Sequence, residues 1–239
     1  MYARVPRFIP VMLILAAGTL TTVACSSSTD ARQVGGAEKS TESAEAFLVP
    51  LTKAQLRALT FKEGEVSQVR EGGIALQDFD TKSGRPSFPP VSDPSCNAMV
   101  DIRIGENASV VVSQLFDWEG DIYAGSSIIA SYEQGEARKA FAELEQALGA
   151  CHSYSGEHLA GKFKAAVKVG KALNVGDEAV RFREIIPTKD LGDRDEQFTV
   201  VRSGNVIVAF QRMNIGGSSS FPDDLINKQV ERLREAQRK

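Results

Sequence analysis

Hydrophobic and polar positions alternate along this chain with changing period, and each change marks an element. Residues 11–20 are an almost unbroken apolar run, too short to span ~30 Å of hydrocarbon, which takes about 20 helical residues. Residues 26–43 hold Ser, Thr, Gly and small charged side chains with almost nothing apolar, the composition of a disordered tether. Thr52 is placed to cap a short helix with Ala54, Leu56, Ala58 and Leu59 on its apolar side. Residues 78–94 carry Pro86, Pro89, Pro90 and Pro94, which excludes a helix or a central strand and predicts a long loop. The β-branched run over 109–116 predicts a strand, and 126–132 a second. Ala137, Phe141, Leu144, Leu148 and Cys151 step by four, three, four and three residues, a helix over 136–151 with Cys151 on its buried side. Further strands are predicted over 164–169, 178–186, 197–202 and 205–213, the last two joined by a Ser203-Gly204 turn. A closing helix over 221–238 turns Phe221, Leu225, Val230 and Leu233 inward. Strands joined by tight turns favour an antiparallel sheet, and the amphipathic helices need an apolar sheet face to cover, so the class is α+β.

The N-terminal pattern changes this picture. Arg4 and Arg7 precede the apolar run, and Thr22-Val23-Ala24 leads through small residues to Cys25. This is the order of a secretory signal. With a cysteine directly after the small residues it resembles a bacterial lipoprotein precursor, although Thr22 stands where the lipobox usually has leucine. The resemblance implies cleavage before Cys25 and acylation of its thiol, with membrane attachment through the acyl chains. The alternative is an ordinary secreted chain in which Cys25 is a plain thiol. The division expected is a signal over 1–24, a lipidated Cys25 and tether over 25–45, and one α+β domain over 46–239. There are three cysteines, an odd count for an exported chain. With Cys25 lipidated, Cys96 and Cys151 remain as one disulfide pair in an oxidising compartment. Two buried free thiols are the alternative. A zinc site recruiting His152 and His158, the only histidines, lacks the usual ligand spacing.

Charge and missing motifs narrow the function. Without residues 1–24 the chain carries 26 basic and 31 acidic side chains, which argues against nucleic acid as a partner and leaves the acyl chains as the membrane contact. Gly-x-Ser-x-Gly, Ser-x-x-Lys, His-Glu-x-x-His and P-loop signatures are absent from the sequence, so neither an enzyme nor a cofactor is expected. The acidic turn Asp117-Trp118-Glu119-Gly120-Asp121 has its glycine misplaced for an EF-hand and reads as a solvated turn.

From Cys96 to Met213 the chain resembles the extracellular sensor domains of the mycobacterial PknH-type kinases and the related actinobacterial sensor-domain lipoproteins. The residues that carry the resemblance are Ala147-Leu148-Gly149-Ala150-Cys151, Val175-Gly176-Asp177-Glu178-Ala179, and the hairpin Val200-Val201-Arg202-Ser203-Gly204-Asn205-Val206-Ile207-Val208. It implies a twisted antiparallel sheet with amphipathic helices packed on one face, a cleft on the other, and a ligand-sensing role. In the strand over 178–186, Val180, Phe182 and Ile186 alternate with Arg181 and Arg183, so both arginines share one sheet face. Two planar guanidiniums there suit a carboxylate or phosphate, and Arg181 and Arg183 are the candidate ligand face; a plain solvated face is the alternative. The function expected is a membrane-anchored, extracytoplasmic, non-enzymatic domain that binds an envelope ligand or protein. The rivals are a lipid carrier with an apolar cavity and a secreted hydrolase.

Overall fold

The computed structural model describes residues 48–78, 91–158 and 161–238. The signal, Cys25, the tether and most of the proline-rich segment lie outside the described residues. Helix α1 (Lys53–Leu59) begins with a capping box, in which the Thr52 side chain accepts from the Gln55 backbone N–H and Gln55 reaches back to the Thr52 N–H. Strand β1 (Val69–Asp78) follows, then β2 (Val110–Trp118) and β3 (Gly125–Ser131). Between β1 and β2 lie a 3-10 turn (Pro94–Cys96) and α2 (Asn97–Ile102). After β3 come α3 (Glu136–Ala150), β4 (Ser153–His158), β5 (Gly161–Gly170), β6 (Glu178–Pro187), β7 (Asp193–Ser203), β8 (Val206–Ile215) and α4 (Asp223–Gln237).

The eight strands form one antiparallel sheet in the order β1-β2-β3-β8-β7-β6-β5-β4, which gives an α+β fold. The β7–β8 turn falls one residue later than expected, on Gly204 and Asn205, since Ser203 pairs with Val206. Gly204 has a left-handed φ of 58°, which a residue with a Cβ tolerates poorly.

The helices, expected on one face, divide between both. Phe141, Leu144 and Leu148 of α3 and Met99 and Val100 of α2 join a core with Phe182, Val200, Ile207 and Ala209. Leu56 of α1 and Leu225, Ile226, Val230 and Leu233 of α4 join a second core with Val201, Val206, Val208 and Phe210. Ile207 and Ala209 therefore bury on the α3 side while Val206 and Val208 bury on the α4 side. Residues 206–210 of strand β8 are buried on both faces, and their alternation separates two cores rather than core from solvent. The aromatic centre of the α4 side is Phe116, which contacts Phe61, Trp118 and Phe221 at ring-centroid distances of 6.0, 5.6 and 5.2 Å. Buried Gln114 fastens the chain after α1 to β2, donating to the Phe61 carbonyl at 2.8 Å and accepting from the Phe61 N–H at 3.0 Å.

Cys96 and Cys151 are bonded, with Cα atoms 5.1 Å apart, and both are buried. The bridge joins the start of α2 to the residue that ends α3. That bond removes the thiolates a zinc site would have used. No group of three or more His, Cys, Asp or Glu that could hold a metal occurs among the described residues. His152 is exposed.

Candidate functional site

Each face of the sheet is covered by helices over part of its area and bears a cleft elsewhere. On the α4 side the cleft is built from β6. Because Phe182 packs in the α3 core, period-two alternation turns Arg181 and Arg183 to the opposite face. Arg212 on β8 joins them, and Lys171, Gln197 and Asn214 complete an open cleft of about 740 Å3.

None of the three guanidiniums is isolated. Arg181 Nη2 donates to Asp223 Oδ1 at 2.6 Å and its Nε to Thr199 Oγ1 at 3.1 Å. Asp223 sits in the first turn of α4, where a carboxylate also interacts favourably with the helix N-terminus. Arg183 pairs with Asp195 at 3.2 Å and donates to the Ser219 carbonyl at 3.4 Å. Arg212 donates to Asp121 at 3.0 Å while its guanidinium lies 4.5 Å from the Trp118 ring centre. Asp121 is thus no free solvated acid. Burial would raise its pKa, but the backbone N–H of Tyr123 and the Arg212 guanidinium outweigh that and hold it low. Four cations face three carboxylates in this cleft, leaving one positive charge in excess.

The α3 side carries a second group that sequence reasoning missed. Glu184 on β6 and Glu196 on β7 are directly cross-strand, and both are buried. Like charges so placed repel, so each needs a cation. Arg103, which caps the end of α2, donates to Glu184 Oε2 at 2.6 Å, and Arg194 donates through Nε to Glu196 at 2.7 Å. The Arg103 guanidinium also lies 4.7 Å from the Phe198 ring centre. Burial and the charge of Glu196 push the Glu184 carboxyl up against the pull of Arg103. The neighbouring Tyr154 hydroxyl is raised by burial and by Glu184. One signal could have found this group: Glu184 has the same period-two phase as Phe182 and Ile186, the phase that packs toward α3. Its partner Arg103 lies 81 residues away, beyond any local pattern.

No family model matches the chain, and no curated protein matches it. Among solved structures, the extracellular domain of PknH from Mycobacterium tuberculosis aligns with a TM-score of 0.55 and 12% identity, over 80% of this chain and 99% of that one. This likeness shows that the two share a fold. An uncharacterized Mycobacterium smegmatis protein, the Rv0999 ortholog, aligns over 77% of this chain and 92% of its own at 18% identity, with a TM-score of 0.34. Among the described residues no helix is long and apolar enough to cross a membrane.

Proposed function

We propose that this chain is a membrane-anchored, extracytoplasmic binding domain of the sensor type, without enzymatic activity, and that it takes an anionic envelope ligand in the Arg181–Arg183–Arg212 cleft. The observation that carries this reading is the convergence of three guanidiniums and Lys171 on one open hollow. The fold shared with a kinase extracellular domain supports an extracytoplasmic setting. The basic residues, apolar run and Cys25 of the N-terminal segment support a lipid anchor, whose acyl chains contribute about 0.8 kcal/mol per buried CH2.

The aspartate paired with Arg181 does not close that guanidinium to an anion. The Asp223 side chain is 52% exposed, and a pair of that kind contributes about 0–1 kcal/mol, so a ligand carboxylate or phosphate exchanges with it at small cost. A bidentate guanidinium contact more than offsets that loss. The lipid-carrier reading has less support. The two apolar-walled cavities flanking Arg103 measure about 90 and 260 Å3, small against the several hundred an acyl chain fills.

Trp118 is the only tryptophan and touches Arg212, so its emission reports on the cleft. Titrating the full chain with inorganic phosphate and tripolyphosphate should change that emission, less so as salt rises, because exposed charges are screened over ~8 Å at physiological ionic strength. Arg181→Ala with Arg183→Ala should abolish the change in a chain that still folds, at a lower melting temperature because Asp195 loses its partner. A double variant that still responds, or a wild-type chain that does not, contradicts the assignment.

A further inference from the structure

The sheet face that carries the arginine cleft continues beyond it. Strand β5 buries Ala165 and Val167 in the α3 core, so Lys164, Ala166 and Lys168 point to the opposite face, and all three are exposed. Even the alanine is bare, so no described residue forms a layer over β5 on that side. The strand registers carry this face into the cleft. Lys168 is directly cross-strand from Arg183, Arg183 from Gln197, and Gln197 from Arg212. Three strand spacings put the outer Cα atoms of that row about 14 Å apart, and Lys164 lies about 13 Å along β5 from Lys168.

Charge on this face is segregated from the rest of the chain, whose net charge is −3. The cleft has one positive charge in excess, and Lys164 and Lys168 add to it. At the outer edge Lys162 is cross-strand from Glu157, and that pair cancels. Among the described residues no carboxylate pairs with Lys164, Lys168 or Lys171. Lys168 and Arg183 are like charges placed directly opposite each other, which costs stability and is relieved by an anion laid across them.

Shape and donor geometry decide the class of anion. A flat bilayer meets the exposed lysines but not the recessed guanidiniums of Arg181 and Arg212, whose side chains are 16% and 17% exposed. A flexible chain reaches both. Single-stranded nucleic acid is bound through aromatic platforms for its bases, and the outward positions of β4, β5 and β6 hold no aromatic residue. The donors come from separate strands, which suits a tetrahedral phosphate with oxygens in several directions better than a planar carboxylate, filled by one guanidinium fork. Gln197 Oε1 has no hydrogen bond, so the amide between Arg183 and Arg212 is free to turn its N–H groups to a phosphate. We propose that this face binds a linear polyphosphate chain, its phosphates running from Arg212 and Arg183 onto Lys168 and Lys164. The proposal rests on the cleft reading and extends it from a single anion to a chain of them.

The test is calorimetric titration of the full chain with tripolyphosphate and with long-chain polyphosphate over a series of salt concentrations. Both should bind, and log K for the long chain should fall more steeply with log salt by about 1.4, two further phosphate contacts at about 0.7 each. Lys164→Ala with Lys168→Ala, both exposed and unpaired, should remove that difference and leave tripolyphosphate binding nearly unchanged. Lys62→Ala with Lys139→Ala, which removes the same charge away from β5, should alter neither. Equal salt slopes for the two probes, a Lys164 and Lys168 variant that binds the long chain as wild type does, or an equal loss from the control variant overturns the chain and leaves the cleft reading standing. Lysine-dependent binding of phosphatidylglycerol vesicles with none of the long chain overturns it too. A chain that binds neither tripolyphosphate nor polyphosphate overturns the cleft reading and this proposal together.

Discussion

Removing the Cys96–Cys151 bridge should cost this domain about 4 kcal/mol. The two cysteines are 55 residues apart, and closing a loop of that length removes roughly 14 cal/mol/K of chain entropy from the unfolded state. Both cysteines are buried in the α3 core, so Cys96→Ala with Cys151→Ala adds a small packing loss to the entropic one. With a urea slope of about 2 kcal/mol/M, the midpoint should fall by about 2 M. The bridge should also govern the buried charges. Helix α2 starts directly after Cys96, has six residues, and ends on Arg103, the partner of Glu184. A helix that short does not persist without tertiary support. Urea denaturation of the oxidised protein, the reduced protein and the double-alanine variant, each with a thiol count, separates the bridge from the side chains. A loss below about 1 kcal/mol on reduction would refute the reasoning, because α2 would then be held by packing alone.

Two further outcomes follow from single side chains. Glu65 accepts from Arg232, which holds its carboxyl below the ordinary value of 4.5; the pair's contribution is present above that value and lost as pH falls through the lower folded one, so Glu65→Gln should flatten the acid side of a stability–pH curve measured by urea midpoints. Phe116 is fully buried among three aromatic rings, so Phe116→Ala should cost about 3–5 kcal/mol and shift the emission of Trp118, which stacks on it; urea melts followed by tryptophan fluorescence would expose a smaller effect.

The elements read well from sequence are those whose pattern is local. The Thr52 cap, the 136–151 periodicity and the β-branched runs of β2 and β8 each satisfy one rule over a short window. β1 was missed because Gly72 and Gly73 break its alternation: the pairing with β2 shifts register between Val69 and Ile74, a bulge in which a Cβ on Gly73 would stand 2.8 Å from the Arg70 carbonyl. β4 reads SYSGEH, a polar edge strand with no hydrophobic phase, and it is a strand because β5 pairs with it. α2 is too short to show a helical period. The two-sided arrangement of the helices was misjudged for a related reason. Alternation in β8 separates odd from even positions, yet both sets are apolar, and nothing local says that each has its own helical layer. Arg181 and Arg183 were placed on one face by the same alternation, whereas their partners Asp223 and Asp195 come from α4 and β7, which only the tertiary fold brings near. Arg103 and Glu184 were out of reach entirely, one on a short helix end and the other hidden in a strand that otherwise reads as amphipathic.

The central claim is that an acylated Cys25 holds this binding domain at the outer side of a bacterial membrane. The direct measurement is the mass of the N-terminal peptide of the full chain recovered from bacterial membranes, beside the fractionation of Cys25→Ser. The account predicts a peptide that begins at Cys25 and carries a diacylglyceryl group on its sulfur, with the Cys25→Ser chain released to the soluble fraction, because in the proposed function the acyl chains are the anchor. An unmodified Cys25, or a Cys25→Ser chain that stays with the membrane, would contradict it.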